Sequence, residues 1–459
     1  MFFLESERVH AGFAPPLGLL YIAKILENNG DQVKVIDFSA ESYDNKKLAN
    51  AVDEADVVGL TVLSLSTEKT KEIIRQIKKI KPNIKVIIGG PHCTLFPFES
   101  LKETQADISV QGHGEQIILE IKKALRHEIS LAQIPSIYYR ASSEIKQGLP
   151  YNDANDFDKY PFPARHLVNR YAYGIGYNPG FKKGEFTSIV TSRGCPFSCR
   201  FCSRNSISMK KYTTRSTENI LKEIREIKES GYKYIAFVDD CFLSNKKQAK
   251  ELFDRIIKEN LNMKFYIAAA RVDSADQDLY EKMKKAGVVF IQFGLESGNQ
   301  DVLDFYNKKI TVEEIKHAVN LSNKMGFYTV GSFIIGAPFE TKKHFQKTIN
   351  FAKTLPLVSV SFVPLKYMAG SQLWQEAVNE GKINPNEYVV SADSDKGLAL
   401  FSKSELISIG QKAHRSFILR PKFFINFLLL SFKQSDFSFL LSYLSFYFKS
   451  FLRKFNLVE

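Results

Sequence analysis

Short apolar runs alternate with amphipathic stretches along most of this chain. In its first third, residues 33–38, 57–62, 85–89 and 108–111 are apolar runs of strand length, rich in Val and Ile. Between them, residues 17–29, 67–79 and 115–125 repeat apolar positions at three- and four-residue spacing, the period of a helix with one buried face. That alternation predicts an α/β unit over residues 1–140, a doubly wound parallel sheet of Rossmann-like type. Residues 1–10 are charged and short of apolar pattern, so the first strand is weak. A ligand of such a sheet binds beyond the carboxyl ends of the strands. Three loops there are small or glycine-rich: residues 61–67 with Ser64 and Ser66, Gly89-Gly90-Pro91-His92, and Gly112-His113-Gly114-Glu115. Glycine permits close backbone approach to a ligand. Any one loop also reads as plain turn chemistry; three at one edge favour a binding edge.

Residues 141–183 are rich in Asp, Asn, Tyr, Pro and Gly, which suits an ordered link rather than a core element. Over residues 184–370 the strand-like runs return at 187–191, 234–238, 264–269, 289–294, 329–335 and 358–363, each followed by a helical period or a loop. Six such units predict a partial (β/α)6 barrel, whose chemistry gathers at the carboxyl ends of the strands. Polar residues fall there in turn: three cysteines after the first strand, Asp239-Asp240 after the second, Arg271 and Asp273 after the third, Glu296-Ser297-Gly298 after the fourth, and Gly336 to Glu340 after the fifth. Acids after strands also cap helices, so each of Asp239, Glu296 and Glu340 keeps that reading beside the functional one.

Residues 371–459 form a helical tail that turns aromatic and basic from Arg415 onward. Its two apolar stretches, 423–432 and 437–448, are separated by Lys433, Gln434, Ser435 and Asp436. Neither reaches the roughly 18 apolar residues that a spanning helix needs. Short amphipathic helices of this kind pack on the barrel, cover a substrate entrance, or touch a membrane peripherally.

Composition narrows the classes further. The 459 residues are 44% hydrophobic and 25% charged, ordinary for a folded protein. The net charge of +13 is of the kind that meets nucleic acid or an acidic membrane surface, but the lysines are spread over amphipathic helices, so a solvated face is the expectation and no nucleic acid partner. The N-terminus has no long apolar core of a secretory signal. Five cysteines in so long a chain exclude a disulfide-dense scaffold and suit a reducing cytoplasm.

Three of those five, Cys195, Cys199 and Cys202, lie in Arg-Gly-Cys-Pro-Phe-Ser-Cys-Arg-Phe-Cys. The spacing Cys-x3-Cys-x2-Cys brings three thiolates together on a short loop. A cubane cluster of four irons usually takes four cysteines, so three leave one iron open for another ligand. A structural zinc site would want a fourth Cys or His at a regular offset. No Cys-x2-Cys partner lies elsewhere, and Cys93 and Cys241 read as buried thiols.

Cys-x3-Cys-x2-Cys after a strand, with Phe201 between the second and third cysteines, resembles the signature of the radical S-adenosylmethionine enzymes. The resemblance implies that Cys195, Cys199 and Cys202 hold a [4Fe–4S] cluster whose open iron binds the amino and carboxylate groups of S-adenosylmethionine, giving on reduction a 5′-deoxyadenosyl radical. Asp239-Asp240 stand where that family often has Gly-Gly-Glu, which contacts the methionine amino group. Arg271 would pair with the methionine carboxylate. Gly294 to Gly298 resembles the ribose-contacting strand, with Glu296 and Ser297, and Gly336, Pro338 and Glu340 resemble the strand near adenine. Asn307-Lys308-Lys309-Ile310-Thr311 and Ala369-Gly370-Ser371-Gln372-Leu373-Trp374 resemble hallmarks of a subfamily in which a cobalamin-binding domain precedes the barrel. Pro15-Pro16-Leu17-Gly18-Leu19, Ile36-Asp37, the Ser64/Ser66 loop, Gly89-Gly90-Pro91-His92, Gly112 to Glu115 and Pro161-Phe162-Pro163-Ala164-Arg165 are similar to that subfamily as well.

By that resemblance the Ser64/Ser66 loop and Gly89-Gly90 enclose the nucleotide tail of the corrinoid. The Asp-x-His-x-x-Gly element that supplies a histidine to cobalt elsewhere is missing. The implied enzyme takes a small-molecule substrate and an external reductant such as flavodoxin or ferredoxin, and transfers a methyl group to an unactivated carbon or phosphorus centre. Oxidative cyclisation or rearrangement of a porphyrin-like substrate is the alternative in the same superfamily. A non-catalytic corrinoid-binding or redox-sensing protein is the alternative outside it.

Overall fold

The first sheet is built from β1 (Phe2–Glu5), β2 (Lys34–Asp37), β3 (Val57–Thr61), β4 (Lys85–Gly89), β5 (Ile108–Val110), β6 (Ile137–Ala141) and β7 (Glu144–Gln147). The computed structural model describes residues 2–5, 14–152, 156–434 and 441. Strand order is β2-β1-β3-β4-β5-β6-β7. The pairs from β2 through β5 are parallel. The expectation of a weak first strand is corrected here. Four residues are enough, because β1 pairs with β2 on one flank and β3 on the other, so its backbone groups are bonded on both sides. The hairpin β6–β7 extends the sheet antiparallel, inside a stretch that composition reads partly as a link.

Central strands of such a sheet are covered on both faces and therefore carry continuous apolar runs. Val58, Leu60, Val86 and Ile88 are all buried. The helix Thr67–Ile80 turns Ile73, Ile74 and Ile77 to the sheet, while Lys71 and Lys78 pair with Glu103 and Asp107. Each such Ile or Val contributes about 1.5–3 kcal/mol by burial. Order reverses between β1 and β3, which makes the carboxyl ends of those strands the topological switch point where doubly wound sheets bind ligands.

The second sheet has six strands, all parallel: β8 (Phe186–Ile189), then, after a two-residue ribbon of β9 (Ser192–Arg193) with β10 (Thr213–Thr214), β11 (Tyr234–Phe237), β12 (Lys264–Ala270), β13 (Val288–Glu296), β14 (Tyr328–Ile335) and β15 (Ser359–Pro364). Their spatial order follows the chain, β15-β14-β13-β12-β11-β8, the open arc of a partial (β/α)6 barrel. The amino end of the arc is closed by an aromatic plug. Phe181 sits 4.4 Å from the Tyr234 ring and 5.3 Å from Phe186, and Tyr177 sits 5.4 Å from Phe290. The chain accordingly folds as two compact units, Met1–Gly176 with Lys182–Gly184, and Tyr177–Phe181 with Glu185–Glu459.

Two long helices of the tail belong to the second unit. Lys403–Ile418 packs along β15, with Gly410 so close that a Cβ there would lie 2.5 Å from the Phe362 carbonyl oxygen. Pro421–Gln434 lies at the amino ends of the strands. Tyr328, the first residue of β14, bonds Ser431 at 3.4 Å, and Gln434 donates to the Gly326 carbonyl at 2.6 Å. The stretch 437–448 lies outside the described residues apart from Leu441. Among the described residues no helix is long and apolar enough to cross a membrane.

Candidate functional site

Gly194, at φ 85°, turns the chain into the cysteine loop beyond the carboxyl end of β8. Cys195, Cys199 and Cys202 are all half-buried and free, and the Cys202 amide donates to the Cys199 carbonyl at 3.1 Å. The loop is fastened from outside. Arg200 donates from its amide to the Tyr306 carbonyl and from its guanidinium to the Phe305 carbonyl, both at 3.0 Å, and pairs with Glu376 at 2.6 Å. Asn307 donates to the Ser198 carbonyl at 2.9 Å, and Phe201 meets the Tyr306 ring edge-on.

Two cations stand beside the thiols. Arg271 is 3.8 Å from Cys199 Sγ and lies over the Phe197 ring. Lys308 is buried, with its ammonium 5.9 Å from the centre of the Phe201 ring. Burial raises the thiols of Cys199 and Cys202, while Lys308 and Arg271 pull Cys199 back toward its thiolate. The neighbouring Cys241 thiol lowers Cys195 to about 7, and Cys195 in turn raises Cys241. Cys241 is thus a close neighbour of the loop, which spacing alone does not reveal.

Among the described residues no three His, Cys, Asp or Glu side chains are placed to hold a single ion. A cubane cluster makes no such demand, because each cysteine holds a different iron. The donor set fits that group: three thiols from one loop, with two cations adjacent to balance the charge of an anionic cluster.

The strand-end residues divide into two kinds. Asp239 is buried, and one carboxylate oxygen accepts from the Thr191 amide at 2.9 Å, the Thr191 hydroxyl at 2.8 Å and the Ser192 hydroxyl at 2.6 Å. Burial nevertheless pushes it up to about 6, and its second oxygen has no hydrogen-bond partner among the described residues. Asp240 is half-buried and pairs with Arg204 at 3.2 Å. The Arg271 fork is already engaged by Asp273, at 2.9–3.1 Å, and by the Lys308 carbonyl at 2.7 Å. Glu296 has φ 58°, a left-handed backbone that a non-glycine residue rarely adopts, and pairs with Lys308 at 2.6 Å. Gly294 makes that pair fit, because a Cβ there would lie 2.5 Å from the Glu296 oxygen. Strain of this sort collects at functional sites.

Ser297 and Glu340 turn inward to the scaffold. Ser297 bonds Thr348 at 3.2 Å and accepts from the Asn299 amide at 3.1 Å. Glu340 accepts from the Gly336 and Ala337 amides at 2.7 and 2.8 Å with one oxygen, which holds the Gly336 turn at φ 97°. Its other oxygen is buried without a hydrogen-bond partner among the described residues, and burial raises Glu340 to about 7. A carboxyl raised in this way contributes stability that is complete below its unfolded value near 4.5 and is lost as pH rises through about 7, on the order of 3 kcal/mol. The melting temperature of Glu340→Gln should therefore gain on wild type between pH 5 and pH 8 by several degrees, read by calorimetry on both proteins. A constant difference across that range would refute the assignment.

In the first unit the loops after β3 and β4 are tied together. Ser64 Oγ lies 3.1 Å from His92 Nδ1, and Ser66, buried, donates to the Leu63 carbonyl at 3.2 Å. Burial lowers His92 to about 4, so it is neutral near pH 7. Gly90, at φ 97°, is hemmed in by Thr61 and Val62, whereas a Cβ at Gly89 would make only an ordinary 3.6 Å contact with Val110. Gly112, at φ 79°, packs under the Tyr151 ring. Spacing does not mark Arg200, Tyr306 and Lys308 as members of the cysteine site; the run Asn307-Lys308-Lys309 is the one signal pointing there.

A half barrel with a three-cysteine loop at its carboxyl end, joined in one chain to a doubly wound unit with a glycine-lined edge, is the frame of a cofactor-dependent α/β enzyme. Residues 189–352 match the radical SAM superfamily and residues 8–122 match the B12 binding domain. An uncharacterized methyltransferase of Pyrococcus horikoshii is 32% identical over 92% of this chain and 91% of its own. Cytidylyl-2-hydroxyethylphosphonate methyltransferase of Streptomyces wedmorensis is 26% identical over 88% of this chain and 86% of its own. The structure of a radical S-adenosylmethionine methyltransferase from Kitasatospora setae, with cobalamin and a [4Fe–4S] cluster bound, superposes with a TM-score of 0.70 at 19% identity, over 83% of this chain and 74% of that one. The chain belongs to the cobalamin-binding radical S-adenosylmethionine enzymes.

Proposed function

We propose that this enzyme transfers a methyl group to an unactivated carbon or phosphorus centre of a small molecule. The observation that carries the reading is the cysteine loop itself, flanked by Arg271 and Lys308 in a chain that also matches the B12 domain. The two relatives named as methyltransferases support it. When bound, the cluster supplies the electron that cleaves S-adenosylmethionine, and cobalamin carries the methyl group.

Cys195, Cys199 and Cys202 would hold the cluster. Asp240, the less buried acid, would meet the methionine amino group, while Asp239 holds the end of β8 to β11. Arg271 would reach the methionine carboxylate by sharing the fork it now gives Asp273, bidentate pairing being its strongest mode. Glu296 would accept from the ribose hydroxyls, held in place by Lys308. Ser297 and Glu340 act through the backbone they fasten, Glu340 fixing the Gly336 turn that would border the adenine. Ser64, Ser66, Gly89 and Gly90 would border the corrinoid tail. The electron would come from flavodoxin or ferredoxin in a reducing cytoplasm, and any membrane contact would be peripheral, through the aromatic and basic tail.

Anaerobic reconstitution tests the reading. Protein loaded with iron, sulfide and hydroxocobalamin should keep an equimolar corrinoid through gel filtration and form 5′-deoxyadenosine on reduction with S-adenosylmethionine. Gly89→Phe should release the corrinoid and leave iron and sulfide unchanged; Gly90 is the poorer probe, because its backbone alone forbids a side chain. Wild-type protein that retains no corrinoid would end the methyl-transfer reading.

A further inference from the structure

The helix Pro421–Gln434 has two apolar faces where a surface helix needs one. Phe423, Phe427 and Leu430 are buried against the barrel. On the other side Phe424, Ile425, Leu428 and Leu429 are 47%, 59%, 44% and 56% exposed, at the i, i+1, i+4, i+5 spacing of one continuous stripe. Contiguous exposed apolar surface on this scale marks an interaction site. The helix carries no acid, and its only charges are Lys422 and Lys433. Lys433 and Lys284 flank Gly326, each 3.6 Å from where a Cβ would stand, and Lys264 adds a third ammonium nearby. None of these three lysines has an ion-pair partner among the described residues. Burial and the neighbouring Lys264 and Lys433 push Lys284 below its usual value, a crowding that an anionic group would relieve.

We infer that this face is a membrane-docking surface for a bilayer carrying anionic lipid. The apolar stripe would enter the headgroup boundary while the lysines meet lipid phosphates, the arrangement of an interfacial helix. Charge argues against a second copy as occupant, because a two-fold contact here would set like charges against each other. The sequence beyond the helix continues in the same character, with Tyr443, Phe446, Tyr447, Phe448 and Phe451 among Lys449, Arg453 and Lys454. Aromatic rings beside basic residues suit a membrane–water interface. The helix lies at the amino ends of the strands, so docking there leaves the carboxyl ends, where the cysteine loop sits, free of the bilayer.

Full-length protein is spun with vesicles of phosphatidylcholine alone or mixed with phosphatidylglycerol. Wild type should pellet with the mixed vesicles and much less with the neutral ones, and 0.5 M salt should weaken it. Ile425→Ser/Leu428→Ser/Leu429→Ser should lower partitioning at least about tenfold. Lys264→Glu/Lys433→Glu should lower it roughly fivefold or more per lysine on anionic vesicles only. The melting temperature and the rate of S-adenosylmethionine cleavage should be unchanged in both variants, which separates this surface from the reaction. Wild type that ignores both vesicles overturns the inference. A dimer that the triple variant dissolves would then assign the face to a second copy, and a monomer would assign it to residues 435–459 folding over it. Binding that survives the triple substitution also overturns it.

Discussion

Cys195→Ala, Cys199→Ala and Cys202→Ala should each yield folded protein without cluster absorbance and without cleavage of S-adenosylmethionine. Each thiolate holds its own iron, so two ligands cannot retain a cube whose fourth iron is already open. Cys93→Ala should change neither property, because Cys93 is fully buried in the first unit with its thiol raised to about 11. Cys241→Ala is the sharper control. Cys241 lies near enough to Cys195 to shift its thiol, so it is the thiol best placed to substitute for a ligand. Its removal should leave iron and sulfide content intact after anaerobic reconstitution. Loss of iron from Cys241→Ala would reassign the ligands.

Lys308→Met should be the most destabilising single change near the site. Lys308 and Glu296 form an ion pair whose side chains are 8% and 7% exposed. Removing the cation strands a carboxylate on a strained, positive-φ residue, which costs about 3–5 kcal/mol. Adding Glu296→Leu to Lys308→Met should recover most of that loss, since replacing a buried pair by apolar groups is often neutral. Glu296→Gln separates stability from binding. It keeps the shape and the hydrogen bond from Lys308, yet removes the charge that would receive the ribose. Cluster-loaded Glu296→Gln should bind S-adenosylmethionine roughly 10–100-fold more weakly, the value of one charge-assisted hydrogen bond at about 1.5–3 kcal/mol. Unchanged affinity, measured by equilibrium dialysis, would make Glu296 purely a structural partner of Lys308.

The elements that periodicity exposed best were the buried parallel strands. Residues 85–89 and β4 coincide, and the run at 289–294 lies inside β13, because a strand covered on both faces must be apolar throughout. The hairpin β6–β7 escaped for a related reason. It sits at the sheet's edge, its exposed side chains carry little alternation, and Ser142-Ser143 lacks the Asn-Gly signal of a tight turn. β1 reads as weak in the sequence because only its pairing on both flanks makes so short a run a strand.

Local order alone determined the three-thiol loop, the alternation that builds both sheets, and the run of polar residues after each barrel strand. These depend on neighbours a few positions apart, where chain geometry leaves little choice. Tertiary structure decided which of those residues face outward. It buried Asp239 beneath Thr191 and Ser192, gave Glu340 to the amides of Gly336 and Ala337, and engaged Arg271 with Asp273. It also brought Lys308 to Glu296, twelve residues away, and Arg200 to Glu376, 176 away, and laid Cys241 against Cys195. Such pairings carry no periodic signature, because they arise where separate strand ends converge on one side of a sheet, and only the folded arc sets those distances.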